Sequence, residues 1–407
     1  MAVPERVVIS GAGCCTALGH DLDSVARSLR EGRDAFRASG ALEGLSVCPA
    51  EDWGQDEARQ QSEGWRHRHY LNRGSRMAVL SGLRALRDAG LEAGLPVRSQ
   101  IIAAVGPMLD VTGEPGLPPQ DTATLGALWL LRWLPNTAAG ALARFARCHG
   151  EALTVNAACA SALQALGEGW RRIRFGLADA VLVAAGDSRL SLGGLLGYHK
   201  ARALSLCAPG TGPRPFDMGR DGFVPGEGGA AFVLESLSSA QARGAHVHAE
   251  ILGYGASVDA ESLTAPEARG TWAELAVRGA LEEAGAVGLD AAGLGWLSAH
   301  GTGTQLNDQA ESLLWERLLG DVPGGPAVMA FKSWLGHGSS ACGALELYCA
   351  LAAWRDDRMP PVRHLERPCS PRLDFVREPR PFPSSRGLLE NFGFGGQNAA
   401  LAVDLRP

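Results

Sequence analysis

Apolar positions along this chain follow two periods. Short unbroken apolar runs at residues 7–10, 101–105 and 180–185 have the length of strands buried on both faces. Between them, apolar residues recur at helical spacing over residues 23–30, 78–89 and 160–175. The strand at residues 230–234 closes this series. Near Glu250 the order restarts: Ile251, Leu252, Gly253, Tyr254 and Gly255 repeat the strand-then-Gly-x-Gly form of Val8, Ile9, Ser10, Gly11, Ala12 and Gly13. Helices follow at 271–284, 307–319 and 341–354, with strands at 294–299 and 327–331. Strand and helix in alternation predict an α/β architecture, and two runs of similar element order predict a duplicated core. The halves divide at residues 1–248 and 249–407. Pro-rich stretches at 113–120 and 360–383 read as surface excursions, and residues 127–135 as an unusually bulky apolar segment.

The composition narrows the classes. The chain has 407 residues, 46% apolar and 20% charged, and a formal net charge of -6. That balance excludes a general nucleic-acid binder, because phosphate neutralisation needs clustered cations. No apolar run reaches the length of a membrane span, and no signal-peptide pattern opens the chain. The nine cysteines include no CxxC pair, which fits neither a disulfide framework nor a zinc site. A cytoplasmic protein with reduced thiols is expected, with no metal.

Candidate chemistry lies where strands end. Cys159 sits between a short strand and a helix start among small residues, where the helix dipole favours a thiolate. By itself such a cysteine reads more often as a small buried hydrophobe. His300 follows a strand on the loop His-Gly-Thr-Gly-Thr, with Thr302 and Thr304 offering hydroxyls. Lys332 and His337 follow another strand in Lys-Ser-Trp-Leu-Gly-His. Alone, either histidine reads as a structural loop residue. Together they supply two N–H donors suited to an enolate oxygen, beside a cysteine suited to covalent catalysis. Lys332 is expected to pair with Glu311. Residues 391–398, Asn-Phe-Gly-Phe-Gly-Gly-Gln-Asn, form a glycine hinge with two aromatics.

Taken in order, these segments resemble the β-ketoacyl-acyl-carrier-protein synthase family, elongating type I and II class. The resemblance rests on residues 154–163 around Cys159, residues 214–229 (RPFD, RDGF, GEG), the His300 loop with Asp308 and Glu311, the Lys332–His337 motif, and the 391–398 loop. It implies a thiolase fold, duplicated halves in five αβαβα layers, and decarboxylative Claisen condensation of a Cys159-bound acyl group with malonyl carried on an acyl carrier protein. It also implies Phe394 as a gate, Thr264, Thr302 and Thr304 at a pantetheine arm, and Leu109, Tyr198 and Trp133 along an acyl pocket. Arg66, Arg68 and Arg202 are implied as carrier-protein docking residues. No cofactor is implied beyond the carrier's phosphopantetheine. A homodimer is implied, or a heterodimer with a chain-length-factor-like subunit. Departures at Trp334, Leu335, Ser339, Cys342, Glu390, Asn391, Tyr198 and Leu109 favour a polyketide or polyene pathway over general fatty-acid elongation. The alternatives are a coenzyme A-dependent thiolase or priming synthase, which carries Cys or Asn where His337 stands, and a silent chain-length-factor subunit, which lacks the nucleophile.

Overall fold

The computed structural model describes residues 5–109, 127–285, 288–320 and 325–406. Its first half supplies strands β1 (Val7–Cys15), β2 (Ser99–Val105), β3 (Ala152–Thr154), β4 (Ala180–Ser188) and β5 (Glu227–Ser236). The second supplies β6 (Ala249–Val258), β7 (Trp296–Ser298), β8 (Ala327–Met329), β9 (Arg386–Gly393) and β10 (Gln397–Asp404). The ten strands run β8-β7-β9-β10-β6-β1-β5-β4-β2-β3. Counted from its own outer edge, each half therefore has the order 3-2-4-5-1. The weak repeat at Glu250 is the sequence trace of this duplication. Strands β1 and β6 join the halves antiparallel, with Val8 opposite Glu250.

Helices α4 (Ser161–Arg174) and α8 (Cys342–Arg355) lie between the half-sheets and touch strands of both. Helix α2 (Arg73–Asp88) covers the outer face of the first half, and α6 (Thr271–Gly285) that of the second. The layers are αβαβα, the thiolase fold. Helix α8 is buried from Cys342 to Ala353, as expected of a helix apolar all round.

The Gly-x-Gly pairs explain how each outer helix seats. A methyl group at Gly11 or Gly13 would strike the carbonyls of Ala85 and Ser81 on α2, and one at Gly253 or Gly255 those of Ala280 and Ala276 on α6. Only glycine admits this approach of helix backbone to strand.

Two expectations change. Helix α2 starts five residues before the expected 78, because Asn72 caps it by accepting the Ser75 N–H at 2.7 Å. Residues 360–383 are not a surface excursion: Val362, Leu365, Phe375 and Val376 are buried, and Phe375 bridges to Val328 on β8. Apolar residues between the prolines plug the core. Within 127–135, Trp129–Arg132 makes one short turn, and Leu128, Trp129, Leu130, Trp133 and Leu134 are exposed. The stretch at 113–120 lies outside the described residues. Among the described residues, no helix is long and apolar enough to cross a membrane.

Candidate active site

Four loops meet where strands of both halves end. Cys159 occupies a tight turn between β3 and α4. Ala158 before it takes φ 48°, a left-handed conformation that costs a non-glycine residue energy and persists where surroundings impose it. Ser161 imposes it, since its Oγ accepts the Ala157 N–H at 2.8 Å and donates to the Ala158 carbonyl at 2.7 Å. The hinge loop presses on the same turn: a Cβ at Gly393 would lie 2.8 Å from the Ala157 carbonyl and 2.9 Å from the Cys159 nitrogen. The Phe394 backbone N–H is directed at the Cys159 sulfur.

The sulfur lies 3.3 Å from His337 Nε2. The rings of His337 and His300 stand perpendicular, 5.8 Å apart. Their protonation follows from their partners. His337 Nδ1 accepts the Ser339 backbone N–H at 3.0 Å and faces the Cys342 thiol at 3.4 Å. His300 Nδ1 lies 3.1 Å from the Lys332 ammonium and 3.3 Å from Asn391 Nδ2. Burial, with Lys332 adding to it, depresses His337 to about 3 and His300 well below the ordinary imidazole range. Both rings are neutral near pH 7. With Nδ1 accepting, each carries its proton on Nε2.

Lys332 keeps its charge. Burial pulls its pKa down, but the Glu346 carboxylate at 2.5 Å outweighs burial, and the ammonium also donates to the His300 carbonyl at 2.6 Å. The expected partner, Glu311, is elsewhere. It accepts the backbone N–H groups of His300 and Gly301 at 2.6 and 2.9 Å, so it shapes the loop rather than the ammonium. Asp308 does similar work, accepting N–H groups of Phe216 and Gly303 at 2.7 and 3.1 Å. Sequence reasoning missed Glu346 and the role of Asn391, which donates to Glu346 at 2.8 Å. It also missed the role of Glu390, buried against Glu311 and bonded by the Trp315 indole at 2.8 Å. Burial, then Glu311, pushes Glu390 well above the carboxylate range.

The thiol itself contradicts the expected thiolate. Burial raises Cys159 to about 11, with Lys332 opposing. The short helical turn at its position gives less than burial takes.

Cys159, His300 and His337 border a cavity of about 410 Å³ whose wall includes Thr264, Thr302, Thr304, Arg202 and Phe394. The other expected residues do not border it. Leu109 borders a separate cavity of about 660 Å³. Tyr198 turns its hydroxyl to Ser339 Oγ at 2.9 Å, and Trp133 is on the surface. Arg68 lines a third cavity of about 230 Å³ with Arg59 and Arg76, and Arg66 contacts His67 at 3.1 Å.

Ligand atoms of Cys159, His300 and His337 lie within 4.8 Å of one another, a spacing that would admit a metal ion. The chemistry does not fit, because metal-bound imidazoles present a lone pair and these present Nε2–H.

Residues 4–240 match the family model of the beta-ketoacyl synthase N-terminal domain, and residues 248–366 that of the beta-ketoacyl synthase C-terminal domain. The chain is 30% identical to 3-oxoacyl-(acyl-carrier-protein) synthase 2 of Vibrio harveyi, across 98% of each chain. It is 31% identical to the tetracenomycin polyketide synthase ketoacyl synthase alpha subunit of Streptomyces glaucescens, across 99% of this chain and 97% of the relative. The solved ishigamide ketosynthase/chain length factor superposes with a TM-score of 0.86 at 30% identity, covering 98% of this chain and 99% of that one.

Proposed function

The chain belongs to the β-ketoacyl synthase family, acyltransferases that condense an acyl group with a malonyl-type extender, and from that footing we propose how its residues divide the reaction. Cys159 takes the acyl group from a carrier-bound thioester; the thiol proton leaves with the pantetheine thiol it displaces, so no standing thiolate is needed. Malonyl thioester then enters the cavity past Thr264, Thr302 and Thr304. Loss of carbon dioxide leaves an enolate whose oxygen is held by His300 Nε2–H and His337 Nε2–H. The enolate carbon attacks the acyl carbonyl, the Phe394 N–H stabilises the oxyanion, and collapse expels the Cys159 thiolate, which takes a proton from solvent to restore the thiol. Lys332 fixes the His300 tautomer. The observation that carries this reading is two buried imidazoles, each with a donor at Nδ1, converging with one cysteine sulfur.

The partner is an acyl carrier protein, and Arg202 at the cavity wall is the described docking cation. The exposed Leu128–Leu134 apolar strip supports a dimer, with a second copy or with a chain-length-factor-like subunit. Nine free thiols accord with a cytoplasmic setting. The similarity to a polyketide ketosynthase supports a polyketide-type pathway.

Intact mass spectrometry tests the core of this proposal. Incubation with acyl carrier thioester adds one acyl mass to the wild type and none to Cys159→Ala. Acylation persisting in that variant excludes the assignment. His300→Ala and His337→Ala each lower malonyl decarboxylation by about two orders of magnitude, read as labelled carbon dioxide. Unchanged release overturns the enolate role.

A further inference from the structure

The backbone of His337 is pinned on both sides. Its N–H donates to the Val224 carbonyl at 2.7 Å, and its carbonyl accepts the Gly226 N–H at 3.0 Å. The direction of the imidazole is a separate matter. It rests chiefly on the Ser339 backbone N–H, 3.0 Å from Nδ1, because the Cys342 thiol facing the same nitrogen is a weak donor. A backbone N–H points where its own residue turns it. Ser339 takes φ 50°, a left-handed conformation that costs a residue with a Cβ energy and persists where surroundings impose it.

The Ser339 hydroxyl has one hydrogen-bond partner among the described residues, the Tyr198 hydroxyl at 2.9 Å. Tyr198 is firmly placed. It lies in the helix Leu192–Lys200 and packs against the cluster of Leu45, Leu204 and Phe223. Its carbonyl accepts the Ala203 N–H at 3.2 Å, and the Ala203 carbonyl accepts the Phe223 N–H at 3.0 Å. The Phe223 ring meets Tyr198 edge-on, with centroids 5.1 Å apart, and meets the His337 ring at 4.7 Å. Tyr198 thus reaches His337 twice, through the Ser339 hydroxyl and through the Phe223 ring. Burial pushes the phenol above its ordinary range, so it stays protonated. Tyr198 and Ser339 are both departures from the family pattern, and here the two departures touch.

We propose that Tyr198 is a positioning residue for decarboxylation: its hydroxyl holds Ser339 in the left-handed turn that aims the Ser339 N–H at His337 Nδ1, and so keeps Nε2–H directed at the enolate oxygen. This deepens the enolate role proposed for His337 and rests on it. Neither hydroxyl touches substrate in this role. The pair acts through backbone geometry, so the φ of Ser339 is what the reaction feels.

Substitutions at residue 339 test this directly. Ser339→Ala loses the constraint and keeps the cost of a left-handed residue, whereas Ser339→Gly loses the constraint and the cost together. Malonyl decarboxylation is read as labelled carbon dioxide, and Cys159 acylation by intact mass spectrometry. Tyr198→Phe and Ser339→Ala should each lower decarboxylation about fivefold, the equivalent of about 1 kcal/mol, and acylation less than about twofold. The two changes together should lose no more than either alone, because both break one bond. Ser339→Gly should exceed Ser339→Ala about threefold, and adding Tyr198→Phe to the glycine variant should lower its rate less than about twofold. If Ser339→Ala folds poorly, Tyr198→Phe in the serine and glycine backgrounds still decides. Losses that multiply, glycine no better than alanine, or an equal fall in acylation overturns the proposal. Unchanged decarboxylation in His337→Ala overturns the enolate role itself, whereas a loss there beside an unaffected Tyr198→Phe overturns the positioning role alone.

Discussion

His300 and His337 are one side chain in one protonation state, reached by different means. His337 is fixed by a backbone N–H from Ser339, two residues further along its own loop. His300 is fixed by an ammonium that itself depends on Glu346, which in turn takes a hydrogen bond from Asn391. A backbone donor cannot be removed by substitution, whereas a buried charge network fails at any of its members. The His300 side is therefore the fragile one, and mutation should separate the two.

The largest effect is expected from Lys332→Met. It strips the donor from His300 and leaves Glu346 buried without its counter-ion. Decarboxylation should fall by about two to three orders of magnitude, and urea unfolding should register a loss of about 3–5 kcal/mol. Acylation of Cys159 should persist within several-fold. Equal loss in both half-reactions would erase the contrast. Glu346→Gln comes next, at about tenfold in decarboxylation. Without the carboxylate, burial governs Lys332 and its pKa drops. The variant should lose rate on the alkaline side at a lower pH than the wild type does.

The comparison also predicts how stability responds to acid. His337 titrates near 3 when folded and near 6.5 when unfolded. Between those values the unfolded chain binds the extra proton, so stability is lost as pH falls from about 6.5 toward 3. His337→Gln should flatten the decline in urea midpoint between pH 7 and 5, and an unchanged slope would count against a neutral ring. Glu390 acts with the opposite sign. Its raised pKa means that the folded protein holds a proton the unfolded one releases above about 4.5, so stability is lost as pH rises from there. Glu390→Gln should remove that loss, so that the urea midpoint of the variant no longer falls as pH rises above about 4.5. The smallest effect belongs to Cys342→Ala. The Ser339 N–H still holds His337, and decarboxylation should change less than threefold.

The reacting side chains were legible because each lies within eight residues of a strand end, the histidines in glycine-rich turns and Cys159 among alanines, so position and chemistry coincide. The supporting charges were not, because their partners come from distant elements. Yet Glu346 left a signal: it is the sole Asp, Glu, Lys or Arg between Lys332 and Arg355, in a helix otherwise apolar. A lone carboxylate there must find a buried cation; Arg355 is nearer along the chain but ends the helix at the surface, which leaves Lys332. Glu390, between Leu389 and buried Asn391, is a similar mark. The thiolate expectation failed because a local cue, the helix start, said nothing about desolvation by four converging loops. The acyl-pocket residues came from the resemblance alone, because Leu109, Tyr198 and Trp133 lie on three separate segments that no local pattern links, and neither the cavity at Cys159 nor that at Leu109 brings them together. Duplication was faint in residues but plain in strand order, since sequence drifts while a 3-2-4-5-1 sheet persists.

A library replacing every residue in turn would single out Gly11, Gly13, Gly253 and Gly255 almost as sharply as Cys159, although none of the four does chemistry. A growth selection would merge the two kinds of failure, and only measuring folded yield beside turnover would part them. The shared intolerance would also be a mark of the duplication: only one half carries the reactive cysteine, but both obey the same ban on a single methyl group.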